Sequence, residues 1–241
     1  MNYMDDASTF ERSLLQKARQ KHIPVTGALE LLPLCNMNCD MCYVRLSRSE
    51  MERQGRLRTV EEWVRLAEQM QKAGTVFLLL TGGEPLLQPD AADFLRKVRE
   101  LGFAVKLDTN GCDPARLAEI LNQGLVDYVA MDVKNAPARY AETVGIPGFN
   151  PAPVEESIRL LRKSTVDYEF RTTLVRELHR PEDLDAIAAW LAGAPRYYLQ
   201  NFVDSGNLIG RGYHGFTAEQ LQGFAERVRP FFGAVELRGI D

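Results

Sequence analysis

The sequence predicts an α/β protein built as an open, three-quarter (β/α)6 barrel, a partial version of the closed eight-unit TIM-like barrel. Three observations carry that expectation. Apolar strand-length runs and amphipathic helix-length segments alternate about six times along the chain, the pattern of a parallel sheet with right-handed crossovers. A closed barrel takes roughly 250 residues; here the chain has 241, and its first 26 precede the first strand, so six units fit better than eight. Finally, the distinctive polar residues fall at the C-terminal ends of the strands, the rim where such sheets carry their sites. Residues 1–241 read as a single domain: an N-terminal helical lead (1–26), the barrel core (27–202) and a C-terminal helix with a short strand (203–241).

The elements follow in order. Phe10–Arg19 has helical periodicity and Gly27–Leu34 reads as the first strand. Thr59–Gly74 opens with Thr59 and Glu62, a capping box, and closes on glycine. Thr75–Leu80 is a short apolar run of the kind a doubly covered strand shows. Pro89–Gly102 places Phe94, Leu95, Val98 and Leu101 on one helical face, and Phe103–Thr109 is a strand. Asp113 and Pro114 are the cap and first residue of the next helix, which ends near Gly124 and is followed by the strand Val126–Lys134. Helices over Pro153–Ser164 and Pro181–Gly193 alternate with strands over Asp167–Val175 and Arg196–Phe202. A second capping box (Thr217, Gln220) opens a helix to Phe231, and Val235–Gly239 reads as a last short strand.

Composition narrows the function. Net charge is −4 and the pI about 5.6, without the basic footprint of a nucleic-acid or anionic-membrane binder. Apolar runs such as Val76–Leu80 are far short of the roughly 20 residues that span a bilayer. The N-terminal stretch shows no basic flank followed by an apolar segment, so no secretory signal is expected and the expected location is the cytoplasm.

Three of the four cysteines, Cys35, Cys39 and Cys42, lie within LCNMNCDMC, and Cys112 stands alone. A disulfide framework belongs to small secreted chains; clustered thiols in this setting predict metal. The spacing C-x3-C-x2-C leaves two readings open. Zinc needs four closed ligands. An iron–sulfur cube held by three thiolates keeps one iron open for a ligand.

The strand ends supply the rest. The loop after the second strand is Thr81-Gly82-Gly83-Glu84-Pro85; after the third comes Asp108-Thr109-Asn110-Gly111; the fourth ends in Asp132-Val133-Lys134; the fifth carries Arg171, Thr172 and Thr173; the sixth ends in Gln200-Asn201-Phe202. Taken singly, each is an ordinary turn or cap. Together they line one rim beside the cysteine loop. Adjacent glycines let a backbone approach a ligand, Arg171 offers a fork for a carboxylate, and Asp108 with Asp132 suits a cation or a ribose. An open iron takes an amino and a carboxylate group. These features describe a site for a nucleotide that carries an amino acid.

C-x3-C-x2-C after the first strand with GGEP after the second resembles the radical S-adenosylmethionine (SAM) superfamily over roughly Gly27 to Phe202. The resemblance implies that Cys35, Cys39 and Cys42 hold a [4Fe–4S] cluster and that SAM chelates the fourth iron. It implies reductive cleavage of SAM to a 5′-deoxyadenosyl radical that abstracts a substrate hydrogen, with Gly82, Gly83 and Glu84 at the methionyl amino group. LDTNG (Leu107–Gly111) and DYVAMDVK (Asp127–Lys134) are similar to strands of glycyl-radical activating enzymes of the pyruvate formate-lyase type. That implies a monovalent cation at Asp108, Thr109 and Asp132, with Asn110, Lys134, Arg171 and Gln200 completing the SAM site. The tail segments Tyr197–Phe202 and Val235–Gly239 resemble activating proteins of anaerobic ribonucleotide reductase, which implies a large glycyl-radical enzyme as partner and a flavodoxin or ferredoxin as electron donor.

The cysteine loop itself departs from that group. Met41 replaces the usual aromatic before the third cysteine, Tyr43-Val44 replaces His-Asn, and the stretch is closer to peptide-modifying radical SAM enzymes. No cysteine follows Cys112, so there is no further cysteine to hold an auxiliary cluster. Modification of a peptide or small molecule is therefore the alternative, and a non-catalytic iron–sulfur sensor the remote one. Cys112 is a candidate hydrogen-donating or radical-carrying thiol. His22 and His179 read as surface or loop residues, and His214 as a possible substrate contact.

Overall fold

The computed structural model describes residues 13, 15–204, 206 and 208–240. One parallel sheet runs in sequence order through β1 (Thr26–Glu30), β2 (Phe77–Thr81), β3 (Ala104–Thr109), β4 (Tyr128–Asp132), β5 (Asp167–Leu174), β6 (Arg196–Asn201) and β7 (Ala234–Arg238). β1 and β7 are its two edges, so the barrel is open. Helices α1 (Arg48–Gln54), α2 (Val60–Ala73), α3 (Ala91–Glu100), α4 (Pro114–Asn122), α5 (Tyr140–Val144), α6 (Ala152–Lys163), α7 (Pro181–Leu191) and α8 (Ala218–Val228) connect the strands. Six strand–helix units are present, and the short tail strand is a full seventh member, paired with β6 in a register that sets Gln200 opposite Arg238. Residues 15–20 are helical; the start of the expected leading helix lies outside the described residues.

Local chemistry explains the elements. Thr59 and Glu62 form the reciprocal cap of α2, and Gly74 ends it in the left-handed region at φ 105°. Thr217 and Gln220 cap α8 in the same way. Side chains alternate across the strands. Leu78, Leu80, Val105, Leu107, Val129, Met131 and Phe170 are buried and pack with Phe94, Leu95, Ile120, Ile158, Leu161 and Ile187 of the helices in one core. The opposite face is polar: Lys106, Asp108, Asp132, Glu169 and Arg171 interact there. β3, β4 and β5 thus carry charged groups on this face, whereas β2 is apolar on both sides, with Phe77 and Leu79 here in register with Ala104 and Lys106.

Two further expectations are corrected. β1 stops at Glu30 because Leu31–Leu34 turn onto the β2 loop: Leu31 N–H donates to the Thr81 carbonyl (3.1 Å), Gly83 N–H to Leu32 (2.8 Å) and Glu84 N–H to Leu34 (2.8 Å). His179 is a loop residue, as one arm of the expectation had it, but not a surface one. It is buried, its Nε2 lies 2.8 Å from the Lys134 carbonyl and its Nδ1 takes the Val175 N–H (3.1 Å). It thereby ties together the loops that follow β4 and β5. The short helices α1 and α5 carry too few apolar repeats to be legible as helices.

Candidate active site

All three loop cysteines and the polar strand ends line one cavity of about 590 Å³ at the C-terminal rim. Its wall includes Cys35, Cys39, Cys42, Gly82, Gly83, Glu84, Asp108, Thr109, Asn110, Asp132, Lys134, Arg171 and Gln200, every cofactor and cluster residue expected from sequence. Cys112 is not on that wall. It packs against the core, its N–H donates to Asn110 Oδ1 (2.9 Å), and burial pushes its thiol up to about 12. His214 is exposed and pairs with Glu177.

The cysteine loop is held from several sides. Asn110 Nδ2 donates to Asn36 Oδ1 (2.7 Å) and reaches Cys35 Sγ at 3.5 Å. Asn38 N–H donates to the Val144 carbonyl at the end of α5 (2.8 Å), while Ile209 N–H and Gly210 N–H donate to the Cys42 and Asp40 carbonyls (3.0 and 2.7 Å). Backbone N–H groups point at two sulfurs: Met37 at Cys35 Sγ (3.4 Å) and Arg45 at Cys42 Sγ (3.3 Å). Burial pushes the Cys39 thiol up to about 11, so loading a metal must expel protons. Among the described residues no three His, Cys, Asp or Glu side chains converge as ligands of a single ion do.

The glycine pair has a packing reason as well as a ligand reason. Gly82 sits at φ 126°, and a Cβ there would come within 2.6 Å of the Leu32 carbonyl oxygen; one on Gly83 would run into the Leu34 carbonyl. Only glycines let the β2 loop lie this close to the segment that carries the cysteines. The carbonyls of Gly82 and Gly83 accept no hydrogen bond from the described residues and remain free for an ammonium group.

Glu84 differs from its expected part at the amino group. It is buried, and its carboxylate accepts from Thr109 Oγ1 (2.8 Å), Asn110 N–H (2.7 Å) and Leu86 N–H (3.1 Å). It stitches the β2 loop to the end of β3. Thr109 also accepts from Gly111 N–H (3.1 Å), so its hydroxyl is largely spent inside the protein.

Arg171 also has protein partners that the sequence does not show. Its Nε donates to Asp132 Oδ1 (2.7 Å) and its Nη1 to Asp108 Oδ2 (3.0 Å); Lys134 Nζ meets Asp132 Oδ2 at 2.9 Å. Burial opposes the charge on Asp132, but Arg171 and Lys134 hold its carboxyl well below the usual range. Two carboxylates and two cations balance, leaving Arg171 Nη2 without a protein acceptor among the described residues. Asp108 Oδ1 is buried and has no partner, an orphan of the kind a bound group satisfies. The donor set therefore fits SAM: free carbonyls for the ammonium, a free guanidinium edge for the carboxylate, and an unpaired carboxylate oxygen for a hydroxyl or a cation.

Sequence reasoning put Thr173 on the rim without a role and passed over Arg45 and Arg238; all three also line the cavity. Strand parity was the available signal for the first and last: Thr173 shares a face with Arg171, whereas Thr172 points away and donates to the Val133 carbonyl (2.8 Å).

The chain is similar to several known proteins. A candidate glycyl-radical enzyme activating enzyme of Methanocaldococcus jannaschii is 34% identical over 172 residues, covering 70% of this chain and 69% of that protein. A PqqA peptide cyclase of Rhodopseudomonas palustris is 30% identical over 125 residues, 51% of this chain, which spans 32% of the cyclase. The fold of Streptococcus suis SuiB bound to S-adenosylmethionine superposes with a TM-score of 0.73 at 14% identity, over 99% of this chain and 57% of SuiB. The chain thus spans about two thirds of the first relative, a third of the cyclase and just over half of SuiB. The Radical SAM superfamily model matches residues 29–191, and the chain belongs to that superfamily, whose members use a [4Fe–4S] cluster and SAM.

Proposed function

We propose that the chain removes a hydrogen atom from a protein or peptide substrate and, more specifically, that it installs a glycyl radical on a large partner enzyme. The observation that carries this is the single cavity in which the three-cysteine loop meets the Gly82–Gly83 carbonyls and the Arg171 edge. The similarity to an activating enzyme over most of both chains supports the finer reading.

Cys35, Cys39 and Cys42 would hold the cluster, and the Met37 and Arg45 N–H groups would steady two of the thiolates. The Gly82 and Gly83 carbonyls would take the SAM ammonium. Arg171 Nη2 and Lys134 would hold its carboxylate, with Asp108 and Asp132 fixing the guanidinium. Asp108 Oδ1, Thr109 and Asn110 would complete the site, with a monovalent cation at Asp108, Thr109 and Asp132 as the resemblance implies. A cluster and SAM held by these residues would supply one-electron reductive cleavage of SAM and, through it, abstraction of the substrate hydrogen. The protein's own task is to orient the groups and exclude water. A cytoplasmic flavodoxin or ferredoxin would deliver the electron.

The test is anaerobic reconstitution with iron and sulfide, then reduction by dithionite with SAM and candidate glycyl-radical proteins carrying α-dideuterated glycine. Deuterium in 5′-deoxyadenosine, lost together with bound iron in Cys39→Ala, is the expected result. Product formed without deuterium from any glycine would remove the glycyl-radical assignment. The alternative, peptide modification, is favoured by the Met41-Cys42-Tyr43 loop and the cyclase similarity; deuterium from a non-glycine residue would select it.

A further inference from the structure

We propose that Thr173, Gln200 and Arg238 form a substrate subsite that reads a main-chain peptide group, with Arg238 setting specificity. The inference rests on the protein-substrate reading above.

The three residues occupy one row across three strands: Thr173 is in register with Gln200, and Gln200 with Arg238. All three line the cavity. The row belongs to the same sheet face as Arg171, one step further toward the rim, on the β5–β7 side and away from the β1–β2 side that carries the cysteine loop. Neither the Thr173 hydroxyl nor the Gln200 amide has a protein hydrogen-bond partner among the described residues.

Arg238 is held for work at this place. Its guanidinium lies over the Tyr198 ring, 3.6 Å from the centroid, and donates to Glu169 at 3.2 and 3.4 Å, long for a charge-assisted pair. Gly239 follows in the left-handed region at φ 69°, its Cα side against the Asn201 carbonyl, which locks the strand end. Glu169 is shared with Lys106.

The chemistry of the row selects the ligand. A hydroxyl and an amide each donate and accept, and a guanidinium donates. A peptide group offers one carbonyl and one N–H and matches both ends. An anion offers acceptors alone and would leave the Gln200 amide oxygen unmatched.

The experiment uses reconstituted, SAM-loaded enzyme and two probes: a blocked Ala-Ala-Gly-Ala-Ala peptide with α-dideuterated glycine, and inorganic phosphate. Peptide binding and deuterium transfer are measured for the parent, Arg238→Gln and Arg238→Lys. The expected result is a peptide KM raised about tenfold or more in Arg238→Gln, the loss of about one good hydrogen-bonding contact. The shift should exceed any change in SAM Kd, and lysine should restore it in part. Equal shifts for peptide and SAM would make Arg238 a SAM contact and overturn the proposal. So would phosphate competing through Arg238, or a peptide that does not engage the parent. The whole-protein deuterium test stands apart from all three outcomes, so failure of the subsite and failure of the glycyl-radical reading can be told apart.

Discussion

Arg171 and Asp132 face one another in register across β5 and β4, and the guanidinium Nε donates to the carboxylate at 2.7 Å. The same guanidinium reaches Asp108 on β3, so one side chain ties three adjacent strand ends into a fixed platform. A residue read from sequence as a free carboxylate fork is first a clamp, and only its remaining edge lacks a partner among the described residues.

Removing that clamp has a defined cost. Arg171→Ala leaves two partly buried carboxylates without their shared guanidinium, and losing charged hydrogen bonds of this kind costs about 1.5–3 kcal/mol, read as a lowered denaturation midpoint. Arg171→Lys keeps the charge but not the fork. Equilibrium binding should show SAM affinity reduced by about tenfold or more; parental affinity in the lysine variant would sink the assignment.

Glu84 sets a pH dependence. Burial pushes its carboxyl up from 4.5 to about 7, against the Asn110, Thr109 and Leu86 donors that favour the charge. Between those values the folded protein keeps a proton that the unfolded chain has released. Its contribution to stability is therefore full below pH 4.5 and is lost as pH rises to about 7, by about 3 kcal/mol in all. Glu84→Gln removes that slope. Unfolding titrations of parent and variant should diverge across this window and run parallel above it; a difference independent of pH would mean the carboxylate is charged throughout.

Gly83→Ala should strike the cysteine loop from a distance. The added methyl meets the Leu34 carbonyl, which cannot move without displacing Cys35. Overpacking of this kind costs about 1–3 kcal/mol. The variant should incorporate less iron on reconstitution, whereas normal iron content and stability would show that the loop yields freely.

Cys112→Ala should form 5′-deoxyadenosine and transfer substrate deuterium at the parental rate, because the thiol is off the cavity wall. A clear loss of transfer with cluster content intact would restore Cys112 as a participant.

Much of this molecule is legible in its residues because the relevant signals are local. Thr59 with Glu62, Asp113 with Pro114, and Thr217 with Gln220 each announce a helix through contacts within one turn. The cysteine spacing and the Gly-Gly-Glu-Pro turn place cluster and ligand groups at strand ends, and a parallel sheet then delivers them to one rim. Partners across strands are a different matter. Nothing near Glu84 says that its carboxylate turns inward to Thr109 and Asn110. Nothing near His179 says that a loop histidine is buried to hold the Lys134 carbonyl.

Periodicity, capping and motif spacing act over a few residues, so the alternation of elements, the three-cysteine loop and the family are legible in the chain alone. The tertiary structure alone decided which charges pair, which glycine carbonyls stay free, and that Arg238 shares a row with Gln200 and Thr173. Those facts depend on strand register and on contacts between residues tens of positions apart, where burial and geometry, rather than residue type, assign each group its partner.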